Sequence, residues 1–317
     1  VKRSITRNAA LAALSFMFLA VTHAGAPMVK SQAPGYYRMM LGEFEVTALL
    51  DGTPPLPVAD FLNGVTPEQA KRVLAREYLP YPLEFSINAF LINTGSKLVL
   101  IDTGDGASME GTGHLIENLK AAGYAADQID EIYISHMHGD HVGGLSKDGA
   151  RQFPNAIVRA GRAEGEYWLS AERMAAASAD AKGSFERAHA MLDPYVTAGK
   201  YRPIDGDGEL VPGIRAIATP GHTPGHTCYL VESRGNRLVA IGDLIHVGAL
   251  QFPNPSITLK FDTDQGAARA QRLRIFREAA QHGEWIAAAH LSFPGIGHVR
   301  AQGAGFAWIP ANYSMSR

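Results

Sequence analysis

With 317 residues and 46% hydrophobic content, the chain is long enough for one large core or two small ones. A formal net charge of −2 excludes the basic excess that a nucleic-acid surface needs. Cys228 is the only cysteine, which excludes an intramolecular disulfide.

The N-terminus reads as a signal peptide over residues 1–24. Lys2, Arg3 and Arg7 precede an apolar run from Ala9 to Val21, too short to span a bilayer comfortably. Thr22-His23-Ala24 has the small residues expected before a cleavage site, placed after Ala24. A periplasmic or secreted protein follows, with no membrane attachment once the signal is removed. Residues 25–43 read as an N-terminal arm and 44–317 as the main folded domain.

Phe44 to Leu50 alternates as a strand, and Asp51-Gly52 turns it. Thr66-Pro67-Glu68 starts a short helix, with Thr66 as cap and Pro67 at the first helical position. Ile87–Thr94 and Lys97–Asp102 form a hairpin around Gly95-Ser96, and residues 112–122 an amphipathic helix. Ala156 to Ala160 is a further strand, and residues 162–192 are helix-rich, an insertion that could overhang a site. Ile214–Thr219, Thr227–Glu232 and Arg237–Gly242 are strands, 264–281 a helix, and Trp285–Ala289 a final core strand. Strands then helices, twice over, imply two sheet–helix halves packed sheet to sheet.

The chemistry concentrates where an apolar run, Ile132-Tyr133-Ile134, ends in Ser135-His136-Met137-His138-Gly139-Asp140-His141. Three imidazoles and a carboxylate within six residues form a ligand mix that zinc and similar metals favour. In extended backbone His136, His138 and Asp140 share one direction, and Asp140 and His141 diverge unless the chain turns at Gly139. Such a split can hold two metals side by side. Further ligands stand at later strand ends: His222 and His226 in Pro220-Gly221-His222-Thr223-Pro224-Gly225-His226, Asp243 after Leu238–Ile241, and His290 after the last core strand.

This series, together with the turn Asp102-Thr103-Gly104, resembles the metallo-β-lactamase superfamily of binuclear metallohydrolases. Within it the chain is most similar to methyl parathion hydrolase and its lactonase-like relatives. Ala33-Pro34-Gly35-Tyr36-Tyr37-Arg38, Phe153-Pro154-Asn155-Ala156 and His290-Leu291-Ser292-Phe293-Pro294-Gly295-Ile296-Gly297-His298 carry that similarity. The resemblance implies an α/β fold of the αββα sandwich type and a homodimer. It implies two divalent metals, zinc foremost: His136, His138 and His222 on one, Asp140, His141 and His290 on the other, and Asp243 bridging. His226 competes with His222 as the third histidine of the first site.

Two cations a few Å apart depress the pKa of a bridging water, so a metal-bridging hydroxide would be the nucleophile near neutral pH. Asp140 and Asp243 are the catalytic carboxylates, Asp140 as a possible orienter of that hydroxide. No Gly-x-Ser-x-Gly elbow is present, and Cys228 reads as a small buried hydrophobe.

Phe61, Met109, Trp168, Phe185, His246, Leu250 and Phe261 are the candidate pocket walls, with His246 either facing the substrate or supporting the ligands. Their apolar character suits a small neutral aromatic ester, lactone or phosphotriester. The methyl parathion hydrolase pattern has Arg at the position of Phe61 and Leu at those of His246 and Phe261. It also has one residue more near Ala181-Lys182-Gly183-Ser184-Phe185. These departures surround the pocket and leave the ligands alone, so a lactone or aryl ester such as dihydrocoumarin is the expected main substrate, and organophosphate hydrolysis a side activity. No basic residue is evident to take a β-lactam's carboxylate. From another class, a non-catalytic periplasmic zinc-binding protein would need the ligands but not the pocket.

Overall fold

The computed structural model describes residues 26–314, so the expected signal peptide lies outside the described residues. The chain divides into two units at Ala33 and Pro34. Residues 26–33 contain no helix or strand. No described helix is long and apolar enough to cross a membrane.

Residues 34–314 form two seven-stranded sheets, in each of which the spatial order of strands follows the chain. The first runs Tyr36–Leu41, Phe44–Gly52, Ile87–Asn93, Leu98–Ile101, Glu131–Ile134, Ile157–Gly161 and Tyr201–Ile204. The first four are joined antiparallel, and the last four are parallel neighbours. The second runs Gly208–Val211, Ile214–Ala218, Thr227–Ser233, Asn236–Ala240, Trp285–Ala287, Ile296–Gln302 and Gly305–Pro310. In it only Asn236–Ala240 and Trp285–Ala287 pair in parallel.

Alternation along the strands sorts side chains into layers. In Ile87–Asn93, Ala89 and Leu91 face helical residues Leu115, Leu119, Ala188 and Leu192. Phe90 and Ile92 face the other way, into a core shared with Tyr229, Val231, Leu238 and Ala287 of the second sheet. In Thr227–Ser233, Cys228 and Leu230 point outward to Ile275, Phe276 and Ala279 of the helix Gln265–His282. Helix, sheet, sheet, helix is the resulting order: the αββα sandwich expected. The metallo-β-lactamase fold is thus an arrangement of two inward-facing sheets with one helical layer outside each.

Several expectations need correcting. Tyr36–Leu41 is not an arm but an edge strand, paired in register with Phe44–Gly52. Its buried side alternates through Tyr37, Met39 and Leu41, a pattern masked by the turn residues before it. Trp285–Ala287 is not the final strand, since Ile296–Gln302 and Gly305–Pro310 extend the sheet. Ile296–Gln302 breaks its apolar positions with glycine, histidine and arginine, and Gly305–Pro310 is an apolar run that ends exposed; neither shows the alternation of a buried core strand. The helical cap is correct: Thr66 accepts from the Gln69 N–H and Gln69 answers to the Thr66 N–H, a reciprocal capping pair.

Candidate metal centre

The histidine-rich segment follows Glu131–Ile134, which lies between two parallel neighbours. Parallel strands release their chains at the same edge of a sheet, where binding groups can converge. His136–His138 leave the strand as extended loop. Gly139–Val142 then turns into a short helix. That turn moves Asp140 away from His136 and His138 and sets it beside His141, so alternation does not hold across Gly139. His136, His138, His222 and Asp243 bring their ligand atoms together, and Asp140, His141 and His290 form a second group. The two groups meet at Asp243. Its Oδ2 stands 3.1 Å from His222 Nε2 and 3.4 Å from His136 Nε2. Its Oδ1 stands 3.0 Å from both His141 Nε2 and His290 Nε2.

Asp243 is aimed by its backbone. It follows Asn236–Ala240 through Ile241 and Gly242, and Gly242 adopts a φ of +48°. A Cβ there would lie 2.7 Å from His226 Nε2 and 2.8 Å from Ser135 Cβ, so the position needs glycine for both conformation and space. His226 Nε2 accepts the Asp243 N–H at 3.0 Å, and its Nδ1 is 2.8 Å from Thr219 Oγ1. That commits both nitrogens of His226, and it is His222 whose ligand atom gathers with those of His136 and His138.

Three of the histidines are held from behind. His141 Nδ1 donates to Asp102 Oδ2 at 2.9 Å, and Asp102 also accepts from the Ser135 N–H and hydroxyl, both at 2.7 Å. His222 Nδ1 donates to Asp262 Oδ1 at 2.7 Å, and His290 Nδ1 to the Ser86 carbonyl at 3.0 Å. Because both Nδ1 atoms donate, the Nε2 atoms of His141 and His290 present lone pairs, and they stand 3.3 Å apart. Likewise His138 Nδ1 lies 3.1 Å from His222 Nε2. His136 Nε2 is fully buried with no hydrogen-bond partner. Converging lone pairs around two carboxylates repel unless a cation lies among them. The donor set therefore fits two divalent cations: three imidazoles on one, two imidazoles and Asp140 on the other, and Asp243 between.

The electrostatics divide the imidazoles: although burial opposes it, Asp243, Asp140 and Asp102 hold His141 well above its usual range, and Asp243 and Asp262 hold His222 up to about 9, so in the metal-free protein protons stand in for cations among these carboxylates. Burial holds the His136 and His138 imidazoles neutral, His138 down to about 3. Burial alone would raise the Asp243 carboxyl, yet the surrounding histidines, His141 foremost, hold it well below the usual carboxylate range. Cys228 takes no part: burial pushes its thiol up to about 12, and it packs against Thr219 on the outer face of the second sheet.

A cavity of about 510 Å³ opens over His138, Asp140, His222, Asp243 and His290. Among the expected walls, Phe61, Met109, His246 and Phe261 line it. Phe61 and Phe261 stand with ring centres 5.0 Å apart. Trp168, Phe185 and Leu250 do not. Trp168 and Phe185 pack on each other at 4.8 Å within the first helical core, where Trp168 meets the His138 ring edge-on at 5.5 Å. Phe185 belongs to the inner face of Ala179–Thr197, whereas Gly183, Ser184 and Arg187 of that helix reach the cavity. Leu250 sits in a separate core with Ala70, Leu74 and Val247.

Arg187 is a basic side chain at the cavity, which the sequence reading did not single out. It lines the cavity, but its guanidinium donates to the Asp105 carbonyl and stands 3.3 Å from Asp105 Oδ1. His246 takes both roles left open for it: it lines the cavity, and its Nε2 is 2.9 Å from Asp243 Oδ2. Sequence reasoning missed Phe85, whose ring stacks on His290 at 4.3 Å, as well as Ser86 and Asp262. Nothing local marks these residues. Asp262 arrives because the N–H groups of Thr263 and Asp264 bind the carbonyls of His222 and Gly221.

Residues 83–290 match the family model described as the metallo-beta-lactamase superfamily. The chain belongs to that superfamily. As a member it is a metal-dependent hydrolase, with lactonases among its homologues. An N-acyl homoserine lactonase from Bacillus sp is 28% identical over 212 residues, which are 61% of this chain and 76% of the relative. Another from Bacillus thuringiensis is 29% identical over 171 residues, 48% of this chain and 60% of that protein. Among solved structures, the hydrolase AbOPH of the beta lactamase superfamily superposes with a TM-score of 0.84 at 35% identity, over 90% of this chain and 100% of that one. AidC, a dizinc quorum-quenching lactonase solved with a product, does so at 0.80 and 29% identity, over 88% and 98%.

Proposed function

We propose that this metallo-β-lactamase-fold hydrolase opens lactones, with zinc as its metal, and that aryl esters and organophosphate triesters are lesser substrates. The observation that carries this reading is the joining of one apolar cavity to one complete ligand set. Leu56, Val58, Phe61, Leu62 and Phe261 wall the same space onto which His138, Asp140, His222, Asp243 and His290 open. A neutral, ring-shaped ester with an apolar substituent suits such walls. The lactonases among its relatives and structural neighbours support the same class.

When bound, two divalent cations supply Lewis acidity and activate water for attack. The chain's own carboxylates divide the remaining work. The Asp243 side chain is 4% exposed and surrounded by imidazoles, which suits a fixed bridge. The Asp140 side chain keeps 24% exposure on the cavity side, so its free oxygen can hold the proton of the attacking water and return it to the leaving alkoxide. Asp140→Asn is accordingly expected to lower kcat roughly a hundredfold in protein reloaded to the wild-type metal content. Full activity at unchanged occupancy would remove Asp140 from this role.

The substrate reading is tested by kcat/KM of the zinc-loaded protein on an N-acyl homoserine lactone, dihydrocoumarin, an aryl acetate and methyl parathion, side by side. A lactone should lead by at least tenfold. Leadership by methyl parathion would make the protein a phosphotriesterase instead. The tilted Phe61–Phe261 pair is expected to set part of this preference. Phe61→Arg should lower lactone kcat/KM more than that of the phosphotriester, and an equal effect on both would deny it a part in selection.

A further inference from the structure

Glu164 is fully buried, lies outside the ligand set, and forms no ion pair among the described residues. It stands on the short helix Arg162–Trp168, which follows the first-sheet strand Ile157–Gly161. Its Oε1 accepts the N–H of Met137 at 2.8 Å. Its Oε2 accepts the N–H of Gly225, also at 2.8 Å. Met137 separates His136 from His138. Gly225 lies in the turn that carries His222 and His226. One carboxylate thus joins the two backbone segments that deliver all three histidines of the first site, one segment from each sheet.

The contact is built to be close. A Cβ on Gly225 would lie 2.1 Å from the Glu164 backbone nitrogen, so only glycine lets the turn reach the helix. Thr223 and Trp168 also lie against the carboxylate, and Trp168 meets His138 edge-on. Of the second site's ligands, His141 is held by Asp102 and His290 by Ser86, not by Glu164.

We infer that Glu164 is a positioning residue for one metal only: it sets the spacing of His136, His138 and His222 before the cation arrives. The reasoning is energetic. Charge-assisted hydrogen bonds from two backbone N–H groups are stronger than neutral ones, and a buried carboxylate that lost them would be left unsatisfied. The loops are therefore locked together in the metal-free protein, and the first site is preorganised while the second does not depend on this bond pair. This inference rests on the two-metal reading of the centre.

The test is a Zn²⁺ competition titration of the full chain against a chromophoric chelator, for wild type and Glu164→Gln. Gln keeps the shape but turns an amide donor towards one of the two N–H groups. The expected result is two cations in wild type, and in the variant one of them weakened by about 10- to 100-fold with the other unchanged. In a His222→Ala background, where the first site has already lost a ligand, Glu164→Gln should change nothing further. Unchanged affinity for both cations would overturn the inference, and so would equal weakening of both, which would mean general loosening. Wild type that binds fewer than two cations would instead overturn the two-metal reading, and this inference with it. Amide exchange of the metal-free wild type gives an answer without any variant. Met137 and Gly225 should already be protected, and protection that appears only after Zn²⁺ is added would contradict preorganisation.

Discussion

Asp243→Ala should lower kcat/KM roughly a thousandfold, on the order of 4 kcal/mol of transition-state stabilisation. It should also reduce bound zinc below two per chain. The expectation follows from position. Among the described residues Asp243 is the only carboxylate within 3.4 Å of imidazole nitrogens from both ligand groups: Oδ2 faces His136 and His222, and Oδ1 faces His141 and His290. Removal leaves those nitrogens converging without the anion that joins them. Metal content by atomic absorption, measured on the same sample as the kinetics, separates loss of cation from loss of chemistry. A variant with two zincs and wild-type kcat/KM would show that the bridge is dispensable.

Arg272→Met should destabilise the fold by roughly 3–5 kcal/mol, seen as a large drop in Tm or in the midpoint of urea unfolding. Arg272 is completely buried on the helix Gln265–His282. Its guanidinium donates to the carbonyls of Leu244, Pro255 and Ile257, the last two at 2.9 and 2.7 Å. Burial lowers it only to about 10, so it stays charged at neutral pH. Met would fill most of the volume but leave the Leu244 and Pro255 carbonyls without this donor, each costing about 1–3 kcal/mol when buried. The segment so anchored begins beside Asp243 and carries His246 and Val247 into the cavity wall. Loss of stability should therefore be accompanied by a higher KM. A variant with wild-type Tm would mean that other donors or water replace the guanidinium.

The ligands were legible in the sequence because each is a chemically distinctive residue at the end of an apolar run. His136, His138, Asp140, His141, His222, Asp243 and His290 need no long-range information to be noticed. Their division into two sites was less legible. It depends on the helical turn at Gly139, which overrides strand alternation, and on His226, whose two nitrogens are taken by Thr219 and the Asp243 N–H. The residues that hold the ligands were mostly illegible. Asp262 and Ser86 act through contacts to residues 40 and 204 positions away, Glu164 through contacts 27 and 61 positions away, and a backbone carbonyl has no sequence signature at all. The pocket falls between these cases. Phe61 and Phe261 stood out as aromatics, but Trp168, Phe185 and Leu250 show that an apolar residue near a site can equally serve the core. In the sheets, strands with buried faces on both sides were evident, whereas the half-exposed strands Tyr36–Leu41, Ile296–Gln302 and Gly305–Pro310 were not.

The central claim is that two cations held by these seven residues are required for ester hydrolysis in the apolar cavity. It is tested most directly by titrating the metal-free protein with Zn²⁺ while measuring lactone hydrolysis and bound metal together. The account predicts no turnover without metal and a rise in rate that ends at two equivalents per chain. Full activity in the metal-free protein, or saturation at a single equivalent, would contradict it.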